Sequence, residues 1–171
     1  MKFKLATIIF MLASASALAS PTITVGFSPS HSALQNVLGV ISGAKSTLDV
    51  EAYSLTSKPI AAAIIAAKKR GVNIRVVADA KANSSGYTAV NYLANQHISV
   101  RLNSRYAIHH NKVMIADGDT IQTGSMNYTT SGDTRNAENV LVIRGVPEIA
   151  RKYQAEFNRL WAESIPLSSS Y

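Results

Sequence analysis

Apolar and polar residues recur along this chain with two periods, and the switches between them mark out the elements. Thr22 to Phe27 alternates with period two, the habit of a half-buried strand, until Ser28-Pro29-Ser30 breaks it. Leu34, Val37, Leu38 and Ile41 then recur at helical spacing, and the pattern stops near Gly43. Thr47 to Tyr53 (TLDVEAY) predicts a second strand. Ser57 is placed to cap a helix with Pro59 in its first turn, running from Lys58 to Arg70, where Gly71 ends it. Asn73 to Asp79 (NIRVVAD) is strand-like again. The succession predicts a βαβ unit, hence two parallel strands and a right-handed crossover. A helix over Thr88 to Gln96 and a strand over Ile98 to Leu102 repeat the alternation.

Farther along, strands are predicted over His110 to Ala116 and Thr120 to Thr123, joined by Asp117-Gly118-Asp119, which has the chemistry of a tight turn. Asn139 to Arg144 is a further strand. Pro147 to Ser164 is amphipathic, with Ile149, Tyr153, Phe157, Leu160 and Trp161 on one face and Pro166 just beyond its end. Strands alternating with helices predict an α/β domain, and no repeat or interdomain linker divides it.

The first stretch, MKFKLATIIFMLASASALAS, is expected to be an export signal: Lys2 and Lys4 precede an apolar run from Leu5 to Leu12, and small residues lead to Ala17-Leu18-Ala19. Cleavage after Ala19 gives a leader over 1–19 and a single domain over 20–171. It also predicts a periplasmic or extracellular location. The alternative, an uncleaved anchor, suffers from an apolar run shorter than the ~20 residues a spanning helix needs. The chain has no cysteine, so any stability outside the cytoplasm comes from packing alone. At 171 residues, 47% apolar and 16% charged, it has the makings of a folded core and no room for a second full catalytic domain. The formal net charge is +7, reduced by two if the leader is removed, and favours polyanionic partners such as nucleic acid or anionic lipid headgroups.

The chemistry concentrates in HHNKVMIADGDTIQTGSMN, residues 109–127. Side chains two apart on a strand share a face, so His110 and Lys112 point together while Asn111, Val113 and Ile115 are expected to turn into apolar surroundings. Ser125 and Asn127 follow Gly124 and are likewise two apart. A nucleophile, a fixed cation and neutral hydrogen-bond donors are what attack on a phosphodiester requires, without a metal.

These residues spell HxKx4Dx6GSxN, with His110, Lys112, Asp117, Gly124, Ser125 and Asn127 at the fixed positions, and the pattern resembles the signature of the phospholipase D superfamily. YSLTS upstream, the lysine-rich helix ending in RGV, and Glu138 in RNAEN extend the likeness over the mature chain, toward the single-motif bacterial endonuclease (Nuc-like) subgroup. The resemblance implies an α-β-α sandwich, a mixed and largely parallel sheet flanked by helices on both faces. It also implies that His110 attacks phosphorus to form a phosphohistidine, that Lys112, Ser125 and Asn127 grip the phosphate, and that Glu138 orients the imidazole. Asp117 and Gly124 are read as structural members of the motif. Larger members of the family carry two copies of the motif and this chain carries one, so a homodimer is expected to supply the second histidine.

The function expected is that of a nonspecific endonuclease on DNA, with RNA as a further candidate substrate. A phosphodiesterase acting on anionic phospholipid and a non-catalytic polyanion-binding module are the alternatives. No cofactor is implied. A zinc site is disfavoured because His109 and His110 diverge, and His31 and His97 lack ligand-spaced neighbours. GSMN around Ser125 is not the elbow of a serine hydrolase. Arg101, Arg105 and Tyr106 are candidates to line a groove, whereas Lys68, Lys69 and Arg70 suit a helix C-terminus.

Overall fold

The computed structural model describes residues 20–85 and 88–168, so the expected leader lies outside the described residues. The described elements in chain order are β1 (Thr22–Ser28), α1 (Ser32–Gly43), β2 (Thr47–Ala52), α2 (Lys58–Lys69) and β3 (Asn73–Asp79). They continue with α3 (Ala89–Asn95), β4 (Ser99–Asn103), β5 (Lys112–Ala116), β6 (Thr120–Gly124) and α4 (Thr130–Thr134). The last are β7 (Glu138–Arg144), α5 (Pro147–Glu163) and β8 (Ile165–Pro166). Among these residues no helix is long and apolar enough to cross a membrane.

All the strands join one sheet in the order β1-β7-β6-β5-β2-β3-β4-β8. The expected βαβ unit is present: β2 and β3 run parallel, as do β3 and β4. The parallel character stops there: β5 lies antiparallel against β2, a tight turn joins it to β6, and β7, reached through the segment that holds α4, pairs antiparallel with β6. The sheet is therefore mixed, with antiparallel pairings in the majority and not the largely parallel sheet expected. Helices cover both faces. On one, α1, α2 and α3 pack Val37, Ile41, Ile64 and Leu93 against Val50, Val76 and Met114. On the other, α5 packs Phe157 and Ala150 against Val77, Val113, Ile115 and Ile121, with Tyr153 and Trp161 at the margin.

The helix ends follow the sequence chemistry. Ser57 accepts from the Ile60 N–H at the start of α2, with Pro59 in the first turn. Arg70 does more than complement the end of its own helix: its guanidinium donates to the carbonyls of Ile41, Ser42 and Ala44 at the end of α1. Arg101 is structural as well, stacked over the Trp161 ring and donating to the Trp161 carbonyl at 2.8 Å. Two elements have no counterpart in the sequence pattern. The α4 turn is built from TSGDT, weak helix formers held by the Thr129 hydroxyl accepting from the Gly132 N–H, and β8 is two residues long.

Asp117, the motif aspartate, bridges the β5–β6 turn and the segment before β2. It sits at φ 53 in the β5–β6 turn, a backbone region that aspartate tolerates. Its carboxylate accepts the backbone N–H groups of Lys45, Ser46 and Thr47 at 2.7–2.9 Å, tying the turn to the start of β2. Burial alone would raise its pKa, yet these three bonds hold it below the ordinary carboxylate value. The folded state therefore gains from the ionised form, a contribution present above the unfolded carboxylate pKa and lost as pH falls through the folded one. Asp117→Ala should lower the unfolding free energy by about 1–2 kcal/mol at neutral pH in denaturant titrations, and the deficit should shrink in acid.

Candidate active site

The motif residues assemble at one end of the sheet, where β2 and β6 finish and β5 and β7 begin. The β5–β2 register puts Lys112 opposite Ala52, and a further bond from the Tyr53 N–H to the Asn111 carbonyl carries the pairing one step on. The ladder begins at Lys112, so His110 and Asn111, expected inside the strand, lie just before it. His110 is exposed and its ring packs edge-on to Tyr53, centroids 4.7 Å apart. Lys112 is buried, its ammonium 5.4 Å from the centre of the same tyrosine ring and donating to the His110 carbonyl at 2.6 Å. Histidine and lysine thus both lie against one aromatic ring. Burial lowers the Lys112 pKa, and Glu138 nearby opposes that shift.

Gly124 lets the second half of the motif approach. A Cβ there would lie 2.2 Å from the Asn139 carbonyl oxygen, so only glycine permits β6 to run this close to β7. Ser125 follows, exposed, with its Oγ donating to Glu138 Oε2 at 2.5 Å and accepting from the Asn139 N–H at 3.1 Å. Met126 and Tyr128 are buried on either side of Asn127, so the alternation expected of Ser125 and Asn127 holds. The Tyr128 hydroxyl donates to Gln122 at 2.6 Å, and its carbonyl accepts from the Thr56 and Ser57 N–H groups. The Asn127 amide has no protein partner among the described residues, and its Oδ1 is buried.

One expected contact is corrected. Glu138 does not accept from the His110 imidazole in the single chain: its two oxygens take the Ser125 hydroxyl and the Asn136 amide, the latter at 2.9 Å, while the His110 ring rests on Tyr53. Asn111, expected in apolar surroundings, is exposed and donates from Nδ2 to Glu51 Oε2 at 2.7 Å. His109 is buried, on the far side of the backbone from His110, and is no rival nucleophile.

Sequence reasoning missed Tyr53 and Glu51. Tyr53 stood inside the YSLTS stretch but carries no chemistry of its own. Glu51 had a signal, a carboxylate within the otherwise apolar run VEA of a central strand. A cavity of about 210 Å³ opens here, bordered by Glu51, His110, Lys112, Gly124, Tyr153 and Glu156. An adjoining one of about 200 Å³ runs past His110 and His109 to Tyr106, so Tyr106 does border a groove while Arg105 lies against Glu163 at 3.6 Å. A larger apolar cleft of about 610 Å³ between α2 and α3 holds none of the motif residues. No three His, Cys, Asp or Glu gather as a metal site among the described residues.

Residues 37–161 match the family model described as cardiolipin synthase, PLD-like domain. The chain is 32% identical over 138 residues to a phospholipase D of Rickettsia bellii, covering 81% of this chain and 68% of that one. It is 30% identical over 142 residues to the mouse mitochondrial cardiolipin hydrolase, covering 83% and 64%. The crystal structure of Nuc, a phospholipase D family member from Salmonella typhimurium, superposes with a TM-score of 0.85 at 38% identity, covering 88% of this chain and all of that one. NucT from Helicobacter pylori shares the fold, at TM-score 0.80 and 22% identity. The chain belongs to the phospholipase D superfamily of phosphodiester hydrolases. Within that superfamily it falls in the Nuc-like subgroup.

Glu51 is 1% exposed, and burial, opposed by the Asn111 hydrogen bond, pushes its pKa from 4.5 to about 7. Between those values the unfolded chain releases a proton that the folded chain keeps, so this group makes stability fall as pH rises. Glu51→Gln should therefore gain stability relative to the natural protein as pH is raised from about 4.5 to about 7, by up to roughly 3 kcal/mol, in denaturant titrations at each pH.

Proposed function

We propose that this protein is a nonspecific, metal-independent endonuclease that hydrolyses DNA, with RNA as a further substrate, at a site completed by two copies of the chain. The observation that carries the reading is the convergence of exposed His110, buried Lys112, Ser125 and the unpartnered Asn127 amide at one end of the sheet. In this reading an imidazole nitrogen of His110 attacks phosphorus, and the bond from phosphorus to the leaving ester oxygen breaks. The partner's His110 gives that oxygen its proton. It then takes a proton from water, whose oxygen attacks phosphorus and frees the first imidazole. Lys112, Ser125 and Asn127 hold the nonbridging oxygens, so charge built up at phosphorus meets one cation and neutral donors. The Ser125 hydroxyl has one proton, given to Glu138 in the free chain, and turns it to the phosphate when substrate enters.

A second copy is supported by an uncovered sheet face. Ile23, Val25 and Phe27 alternate along β1 and are 66%, 59% and 55% exposed, on the face that α5 covers elsewhere. The β7 residues Ile143 and Leu141 continue this apolar surface, and Phe27 stands opposite Asn139, which bonds Ser125. An apolar patch reaching a site that lacks its second histidine fits self-association. Export, with residues 1–19 removed as a leader, belongs to the same proposal. The net positive charge, +7 for the whole chain and two less without Lys2 and Lys4 of the leader, and the open, polar groove favour a nucleic acid. The names of the Rickettsia and mouse relatives favour the second reading, a phospholipid phosphodiesterase.

Purified protein incubated in excess EDTA should nick plasmid DNA and leave labelled anionic phospholipid vesicles intact. His110→Ala should lose at least about a thousandfold in rate. Loss of activity in EDTA would contradict the metal-free mechanism, and turnover of lipid alone would select the second reading. Val25→Asp should sediment as a folded monomer with activity reduced at least about a hundredfold; an active monomer would refute the shared site.

A further inference from the structure

Behind His110 lies a second polar cluster that the proposed chemistry does not use. Glu51 and His109 are 1% and 3% exposed, and Glu51 Oε2 stands 3.8 Å from His109 Nε2. The same Oε2 accepts from Asn111 Nδ2 at 2.7 Å, while Glu51 Oε1 and both His109 ring nitrogens are buried without a protein partner. A buried polar atom without a partner is costly, so three in one cluster mark a site that holds or exchanges a proton. Its placement is specific: Glu51 touches the residues immediately before and after His110 in the chain. The backbone of His109 is fixed independently, its N–H donating to Asp79 Oδ2 at 2.7 Å.

We propose that Glu51, with His109, is a positioning pair for His110: by gripping Asn111 and facing His109 it sets where the attacking imidazole stands, and the uncharged carboxyl is the state that sets it correctly. This rests on the reading of His110 as the nucleophile. The uncharged form is favoured first by burial of the carboxyl, with Glu156 of α5 and Asp49 of β2 adding repulsion, while the Asn111 hydrogen bond and Arg159 of α5 favour the charged form. His109 is faced by Asp79 at the end of β3, Lys112 on β5, and Glu156 and Glu163 on α5, and burial lowers its pKa, so both partners of the pair are disposed to be neutral. In the neutral acid Oε2 is the carbonyl that accepts from Asn111 and Oε1 carries the proton, so Oε1 needs no donor, and Oε2 stands against His109 Nε2 without a hydrogen bond. Ionised, it keeps the Asn111 bond but places a charge with no donor for Oε1 beside buried His109, which disfavours this arrangement of the segment around His110. Glutamine has the same shape and the same acceptor for Asn111 but never ionises.

The test uses the full dimeric protein and bis(p-nitrophenyl) phosphate, with kcat and KM measured from about pH 5 to about pH 9. Glu51→Ala should lower kcat at least about tenfold with KM within about twofold, and Glu51→Gln should restore kcat below neutrality. Above about pH 7 the Gln variant should hold its kcat to higher pH than the natural protein. Superimposable pH profiles for the two would overturn the proposal. In the natural protein the Asn111 side-chain amide resonances should titrate near neutrality, which needs no variant to fold; their failure to move would overturn it equally. His110→Ala separates the two readings: if it turns over substrate normally the nucleophile assignment fails, whereas a dead His110→Ala beside pH-indifferent Glu51 variants rejects only the positioning pair.

Discussion

The antiparallel seat of β5 beside β2 is the constraint on which the rest of this molecule depends. β2 belongs to the parallel βαβ layer and β5 opens the meander that follows, so their pairing joins the two halves of the sheet along one register. That register sets Lys112 opposite Ala52 and brings Tyr53 under His110. Slipping it by one residue would turn Lys112 into the α5 core and Val113 out of it. The Asp117 clamp at the far end of β5 holds the strand from the other side by taking three backbone N–H groups from the entry to β2. A motif residue outside the proposed chemistry thus fixes those placed within it.

The second constraint is steric. β6 reaches the site because Gly124 lies against the Asn139 carbonyl, and the short α4 turn is held under Asn127 by Gly132, where a Cβ would meet the Asn127 carbonyl oxygen at 2.3 Å. Between these contacts Ser125 and Asn127 are presented while Met126 and Tyr128 anchor the backbone in the core. Cation, hydroxyl and amide therefore stand on elements that are packed beneath, a preorganised setting for charge that develops at phosphorus.

Most of the architecture was legible in the sequence because strands and helices here are amphipathic at the right periods and end on glycine, proline or a serine cap. What escaped did so for physical reasons. Local pattern cannot tell that β5 pairs with β2, which makes the sheet more antiparallel than the alternation of elements implied. TSGDT lacks both propensity and periodicity, and its turn exists through the Thr129 cap. In the site, the i, i+2 spacing suggested that His110 with Lys112, and Ser125 with Asn127, share a face, and the resemblance to the family motif supplied their expected roles. Spacing could not show which groups surround Glu138, which was expected to accept from the imidazole and in the single chain accepts from Ser125 and Asn136. Glu51 and His109 lie 58 positions apart in the sequence and meet only once β2 and β5 are paired.

A covalent bond between phosphorus and one imidazole is the central chemical claim, and its direct measurement is acid-free rapid quenching during turnover followed by peptide mass spectrometry. A phosphoryl adduct on the peptide containing His110, absent without substrate, is the expected result. Turnover at full rate with His110 unmodified at every quench time, or the adduct on His109, would contradict it.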